Sequence, residues 1–226
     1  MFDIKTIQYF IEKILFPGMF FWTAGKIAFS VVKLKGSLEN TLLISVQAFL
    51  IIQFSLYCYL AFFLLRNQLS SQYRININMF LILIFLIGLL LTPSDIQEPS
   101  GLFLISIGFY YCVMLCSYYF LGERLSILPS FKDVIMKGMY KLVRHPIYSC
   151  SISIFALIFC FNPNGSNFIL FLLVSIISYV RAIEEEKLLM ESSLVYEDYK
   201  KATPFLFFHP LFLIPFCFVW IFSFFL

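Results

Sequence analysis

Between Gly101 and Leu121 the chain carries no Asp, Glu, Lys or Arg, and the same is true from Phe205 to Leu226. A helix needs roughly 20 apolar residues to cross the hydrocarbon of a bilayer, and about 17 suffice. Runs of this length constrain the fold strongly, because a backbone placed in lipid must satisfy its own polar groups within the helix. Leu42–Leu65, bounded by Glu39 and Arg66, and Ile75–Thr92, bounded by Arg74 and Pro93, pass the same test. Ile14–Leu34 is apolar but interrupted by Pro17, Gly18, Gly25 and Lys26. It reads as a kinked span or as a helix lying in the interface.

The rest of the sequence agrees with a lipid environment. Hydrophobic residues make up 61% and charged residues 13% of the chain, against roughly 45–50% and about 25% in soluble domains. The formal net charge of +3 is spread thinly, without the basic patch that a nucleic-acid partner requires. The six cysteines, at 58, 112, 116, 150, 160 and 217, form no C-x-x-C pair and have no His cluster beside them. They read as small buried apolar residues, and no metal is expected. The expected fold is all-α, a polytopic transmembrane helical bundle of five to seven spans.

Two shorter apolar segments, Pro146–Phe161 and Asn167–Val180, flank Asn162-Pro163-Asn164-Gly165-Ser166. Turn residues at that density predict an antiparallel helix–turn–helix. Pro146 and Arg181 then lie near one membrane face. Loop 122–145 holds Arg124, Lys132, Lys137, Lys141 and Arg144, and segment 181–204 holds Arg181, Lys187, Lys200 and Lys201. Arg66 and Arg74 fall on the same side, whereas Asp95 and Glu98 fall on the other. The positive-inside rule makes the basic side cytosolic. Lys33 and Lys35 point the other way if Ile14–Leu34 spans.

Chemistry concentrates in two places. Arg144, His145 and Tyr148 gather a cation, an imidazole and a phenol at the mouth of a helix whose first turn holds Pro146. Arg181 stands three and four residues before Glu184 and Glu185, a spacing that puts them on one helix face. Taken singly, the first cluster reads as an interfacial anchor and the second as a solvated helix face. The helix–turn–helix joins them: it sets Arg144, His145 and Tyr148 across one pocket from Arg181, Glu184 and Glu185. Ionisable groups gathered at such depth mark a functional site.

The run from Gly138 to Pro204 resembles the isoprenylcysteine carboxyl methyltransferase family, a group that also takes in related phospholipid methyltransferases. The residues carrying the resemblance are Gly138 and Tyr140, Arg144-His145-Pro146 with Tyr148, and Asn162-Pro163. Arg181, Glu184-Glu185 and Leu188-Leu189 follow, then Tyr196, Tyr199 and Pro204. Met139 replaces the usual Pro, Cys150 stands where Gly is usual, and Leu194-Val195 replace a Phe-Gly pair. Residues 1–120 show no diagnostic match. The division expected is 1–121 as N-terminal transmembrane helices, 122–204 as the methyltransferase core and 205–226 as a C-terminal hydrophobic helix.

The resemblance implies S-adenosylmethionine as cofactor. No G-x-G occurs among the nine glycines, so a soluble Rossmann-type methyltransferase site is excluded. The cofactor-binding residues expected are Gly138, Tyr140, Arg144, His145, Pro146, Tyr148, Glu184 and Glu185. Arg144 and His145 suit its carboxylate, Glu184 and Glu185 its amine or ribose, and Tyr140 and Tyr148 its sulfonium or adenine. Arg181 and Glu184 are the catalytic candidates, with Arg181 holding an acceptor carboxylate by bidentate geometry. The expected substrate is lipophilic or lipidated and comes from the bilayer, with membrane lipids as the other partners. The resemblance places the site at the cytosolic face of the endoplasmic reticulum or of a bacterial inner membrane. The alternatives are phospholipid N-methylation, with Glu184 accepting a proton, and a non-catalytic membrane protein that keeps the fold.

Overall fold

The computed structural model describes residues 9–34, most of 51–66, 101–122 and 134–206, and every regular element among them is a helix. The expected segments 75–92 and 205–226 lie wholly or almost wholly outside the described residues. The chain divides into two compact units, Met1–Ser71 with Leu125–Leu128, and Gln72–Arg124 with Pro129–Leu226.

In the first unit a π-helical turn, Phe10–Leu15, leads into α1, Phe16–Leu34. Pro17 explains the turn. It has no N–H to donate and its ring would press on the carbonyl four residues back. The ladder is widened just ahead of it, with the Phe16 N–H bonded to the Ile11 carbonyl, which relieves that crowding. Helical residues between 51 and 66 pack alongside. Phe20 meets Tyr57 with ring centroids 5.9 Å apart, and Phe21 meets Phe62 edge-on at 5.3 Å. The Lys13 ammonium donates to the Leu65 carbonyl at 3.1 Å.

The second unit is built on α2 (Gly101–Leu121), α3 (Pro146–Phe161) and α4 (Gly165–Ser192), followed by the short α5 (Val195–Ala202). The bounds of α2 and α3 coincide with those expected from the sequence. α3 packs against both α2 and α4, and α2 also touches a 3-10 turn at Gly138–Lys141. Rings fix the directions. Phe103 near the start of α2 meets Phe161 at the end of α3, with centroids 4.6 Å apart. Phe159 meets Phe168 at 5.3 Å and Phe171 at 6.4 Å, near the start of α4. α3 therefore runs antiparallel to both neighbours.

The turn between α3 and α4 is held by three asparagines. Asn164 caps α4, accepting from the Asn167 backbone N–H at 2.8 Å. The buried Asn167 amide donates to the Asn162 carbonyl at 2.8 Å, and Asn164 donates to the Asn162 side chain at 3.2 Å. Because Asn164 is the cap, Gly165 and Ser166 belong to the helix and not to the turn.

α4 is longer at both ends than Asn167–Val180. Its 28 residues span about 42 Å at roughly 1.5 Å per residue, more than the ~30 Å hydrocarbon. One face, Leu170, Val174, Ile177 and Ala182, is buried. The opposite face is apolar too: Phe168, Ile169, Leu172, Ile176 and Tyr179 are all exposed. A helix apolar on both faces suits lipid. α2 and α4 are each long and apolar enough to cross a membrane.

The cysteines divide. Cys150 is fully buried, so the position where Gly is usual here takes a thiol within the packing. Cys112, Cys116 and Cys160 are exposed, which corrects the expectation that all six are buried. The outward faces of these helices are themselves apolar, so a small apolar residue fits there as well as inside.

Candidate active site

The approach to α3 is shaped by its backbone. Gly138 has φ +58°, in the left-handed region that costs L-residues with a Cβ. A Cβ there would also lie 2.2 Å from the Phe120 ring at the end of α2. The 3-10 turn that follows buries Tyr140, whose carbonyl accepts the Tyr199 hydroxyl at 2.5 Å. Burial, and after it the charge of Glu185, pushes the Tyr140 phenol well above its ordinary pKa, so it stays protonated. The Arg144 N–H donates to the Pro204 carbonyl at 2.9 Å, tying the loop to the segment after α5.

Pro146 then opens α3, where its missing N–H leaves nothing unsatisfied. His145 occupies the N-cap position, and its ring makes no capping bond. Its carbonyl accepts from both the N–H and the hydroxyl of Ser149, each at 3.0 Å. The imidazole is left to face α4.

Across from it stand two consecutive carboxylates of α4, and the imidazole lies between them, 3.9 Å from Glu185 and 3.3 Å from Glu186. Glu186 receives the Arg144 guanidinium and the His145 Nε2, the latter at 3.3 Å, on one oxygen. Its other oxygen is 3.3 Å from the Lys200 ammonium of α5. Glu185 accepts the Tyr148 hydroxyl and lies 3.5 Å from Arg181. The Arg181 guanidinium lies over the Tyr148 ring at 5.6 Å. Phe205 closes one side: its ring lies 5.2 Å from the Arg144 guanidinium and meets the His145 ring edge-on at 5.2 Å. Tyr179 meets the same Phe205 ring at 5.7 Å.

Arg144, Arg181 and Lys200 bring three cations to this cluster, and Glu185 and Glu186 bring two carboxylates. Each arginine is matched by a carboxylate, and Lys200, 40% exposed, keeps part of its hydration. Side-chain exposure is only 9% for Arg144, 14% for Arg181 and 8% for Glu186. Charges so poorly hydrated are tolerated when they are paired, as Arg144 and Arg181 are here. The buried Arg144 Nε has no hydrogen-bond partner among the described residues, which leaves a donor for an acceptor group of a ligand.

Of the residues named from the sequence, Arg144, His145, Tyr148, Arg181 and Glu185 meet as one cluster, with Tyr140 and Pro146 buried beside it. Gly138 shapes the turn and does not reach the ions. Glu184 is not drawn in: its carboxylate pairs with the exposed Lys187 at 2.6 Å. Neither Glu186 nor Lys200 is among the site residues expected from the sequence. The stripe Leu170, Val174, Ser178, Ala182, all buried, continues to Glu186 and not to Glu184. That spacing could have singled Glu186 out.

Comparisons with curated proteins and with solved structures gave no match. A family model does match, over residues 100–191. It begins at the start of α2, so α2 belongs to the family segment, although residues 1–120 show no diagnostic motif to the eye. It ends within α4, after the paired carboxylates. The family is one of methyltransferases and, with the two apolar helices, points to a membrane methyltransferase. Residues 100–191, which carry Arg144, His145, Tyr148, Arg181, Glu185 and Glu186, thus match the isoprenylcysteine carboxyl methyltransferase (ICMT) family.

Proposed function

We propose that this chain is an integral membrane methyltransferase that uses S-adenosylmethionine to O-methylate the carboxylate of a prenylcysteine or a similar lipophilic acid. The observation that carries the reading is the meeting of Arg144, His145 and Tyr148 with Arg181, Glu185 and Glu186 inside the family segment.

The donor set fits the cofactor. Arg144, with its spare Nε donor, and His145 suit a carboxylate. Glu185 and Glu186 suit an ammonium or ribose hydroxyls, and the Tyr148, His145 and Phe205 rings offer faces and edges to flat or cationic groups. When bound, S-adenosylmethionine supplies a methyl group on a sulfonium whose sulfur takes the departing electron pair. A carboxylate acceptor needs no general base, so the protein's part is positioning and removal of water. Arg181, steadied by the Tyr148 ring and by Glu185, is preset to hold that carboxylate. Tyr148 keeps Glu185 oriented through its hydroxyl.

Placement follows from lengths. The first 20 or so residues of α4 fill the hydrocarbon at roughly 1.5 Å each, which sets Arg181–Lys187 at its boundary. The basic loops make that boundary the cytosolic one. The acceptor's tail would reach the site from the bilayer and the cofactor from the cytosol.

The test is to incubate the purified protein in lipid nanodiscs with methyl-labelled S-adenosylmethionine and either a prenylcysteine analogue or phosphatidylethanolamine. Base-labile label on the prenylcysteine analogue is expected. Base-stable label on phosphatidylethanolamine would replace the reading with N-methylation, and no transfer together with no cofactor binding would leave a non-catalytic protein.

A further inference from the structure

We propose that Lys200, which lies beyond the family segment, is a positioning residue that fixes the orientation of the Glu186 carboxylate. The inference rests on the methyltransferase reading for its consequence in cofactor binding. It rests on geometry alone for the pairing itself.

Glu186 is buried, and two donors, Arg144 and His145, converge on one of its oxygens. Donors on a single oxygen leave a carboxylate free to turn about its last torsion, which has a broad, shallow profile. Lys200 supplies the missing constraint, an ammonium 3.3 Å from the other oxygen. With both oxygens engaged, the plane of the carboxylate is set, and with it the directions of its remaining lone pairs.

The fold delivers Lys200 to this place by fixed contacts. α5 presents Tyr196 and Tyr199 inward, both buried. The Tyr199 hydroxyl bonds the Tyr140 carbonyl at 2.5 Å, and just past the helix the Pro204 carbonyl accepts from the Arg144 N–H at 2.9 Å. α5 is therefore tied, at its middle and just past its C-terminal end, to the loop that carries Arg144 and His145. The Lys200 side chain remains 40% exposed, its stem reaching in while its head keeps some water. Its ammonium also lies 3.7 Å from the Met190 sulfur. The neighbouring Lys201 is exposed and provides a control of equal charge.

The experiment compares wild type, Lys200→Met, Lys200→Arg and Lys201→Met in nanodiscs, with S-adenosylhomocysteine binding measured by calorimetry and methyl transfer measured as a function of each substrate. Lys200→Met should weaken S-adenosylhomocysteine binding and raise KM for the cofactor by about tenfold, the scale of one charge-assisted hydrogen bond. KM for the lipid acceptor should hold. Lys200→Arg should recover most of the loss, and Lys201→Met should behave as wild type. Equal binding by wild type and Lys200→Met would overturn the inference, as would an equal loss in Lys201→Met. Absence of binding in wild type defeats the methyltransferase reading instead. The pairing is then judged by thermal unfolding of Lys200→Met, Glu186→Gln and the double variant, where purely additive shifts would overturn it and a smaller double shift supports it.

Discussion

The two ends of the α3–α4 pair are built from opposite materials. At the turn, neutral groups do the work: Asn162, Asn164 and Asn167 bond one another and the backbone, and Phe159 packs on Phe168 and Phe171. At the other end, Arg144, Arg181 and Glu186 are gathered with little water around them, with the more exposed Glu185 and Lys200 beside them. Both ends hold the same two helices together, so ions are not needed for that task. Replacing a buried ion pair with apolar residues is often neutral or stabilising. Stability alone therefore does not account for the ionic end.

The contrast is broken most directly at Glu186. Glu186→Ala should cost about 3–5 kcal/mol, since it strands buried cations, and should cut methyl transfer by on the order of a hundredfold or more; calorimetry and labelled transfer on the same preparation check both. If activity survives while stability falls, the ionic end is structural only. Gly138→Ala should follow, at roughly 1–2 kcal/mol for a left-handed residue with a Cβ that also displaces Phe120, seen as a lowered unfolding temperature.

Tyr148→Phe sharpens the comparison, because it removes the hydroxyl bonded to Glu185 and keeps the ring under Arg181. A loss of about 1 kcal/mol in stability is expected, with a larger proportional effect on turnover than at any site near the turn. Asn164→Ala should also cost about 1 kcal/mol as a lost helix cap, but transfer per folded molecule should match wild type. A fall in specific activity there would erase the distinction between the ends. Smallest of all, Glu184→Gln should shift stability by under ~0.5 kcal/mol, the scale of an exposed i, i+3 pair. Its effect on transfer should be well below that of Glu186→Gln in parallel assays.

Much of this was legible beforehand. The uncharged run Gly101–Leu121 and the segment from Pro146 to Phe161 became helices with those same bounds, because breakers and charges at their ends leave little choice. α4 ran past Val180 because its charges found partners, so nothing stopped the helix before Ser192. Leu194 and Val195, in place of a Phe-Gly pair, end up exposed beyond α4. Glu186 stayed hidden among three consecutive glutamates, and Lys200 lay in a separate helix eight or more residues on.

Hydrophobic run length and turn residues belong to the one-dimensional chain, so they settled helical character and the bounds of α2 and α3. Which glutamate of three faces inward depends on the rotation of α4 about its axis. That rotation is set by how Leu170, Val174, Ile177 and Ala182 pack against their neighbours. Only the assembled unit could decide it, because successive helix positions point about 100° apart and every one of the three is equally willing to carry a charge.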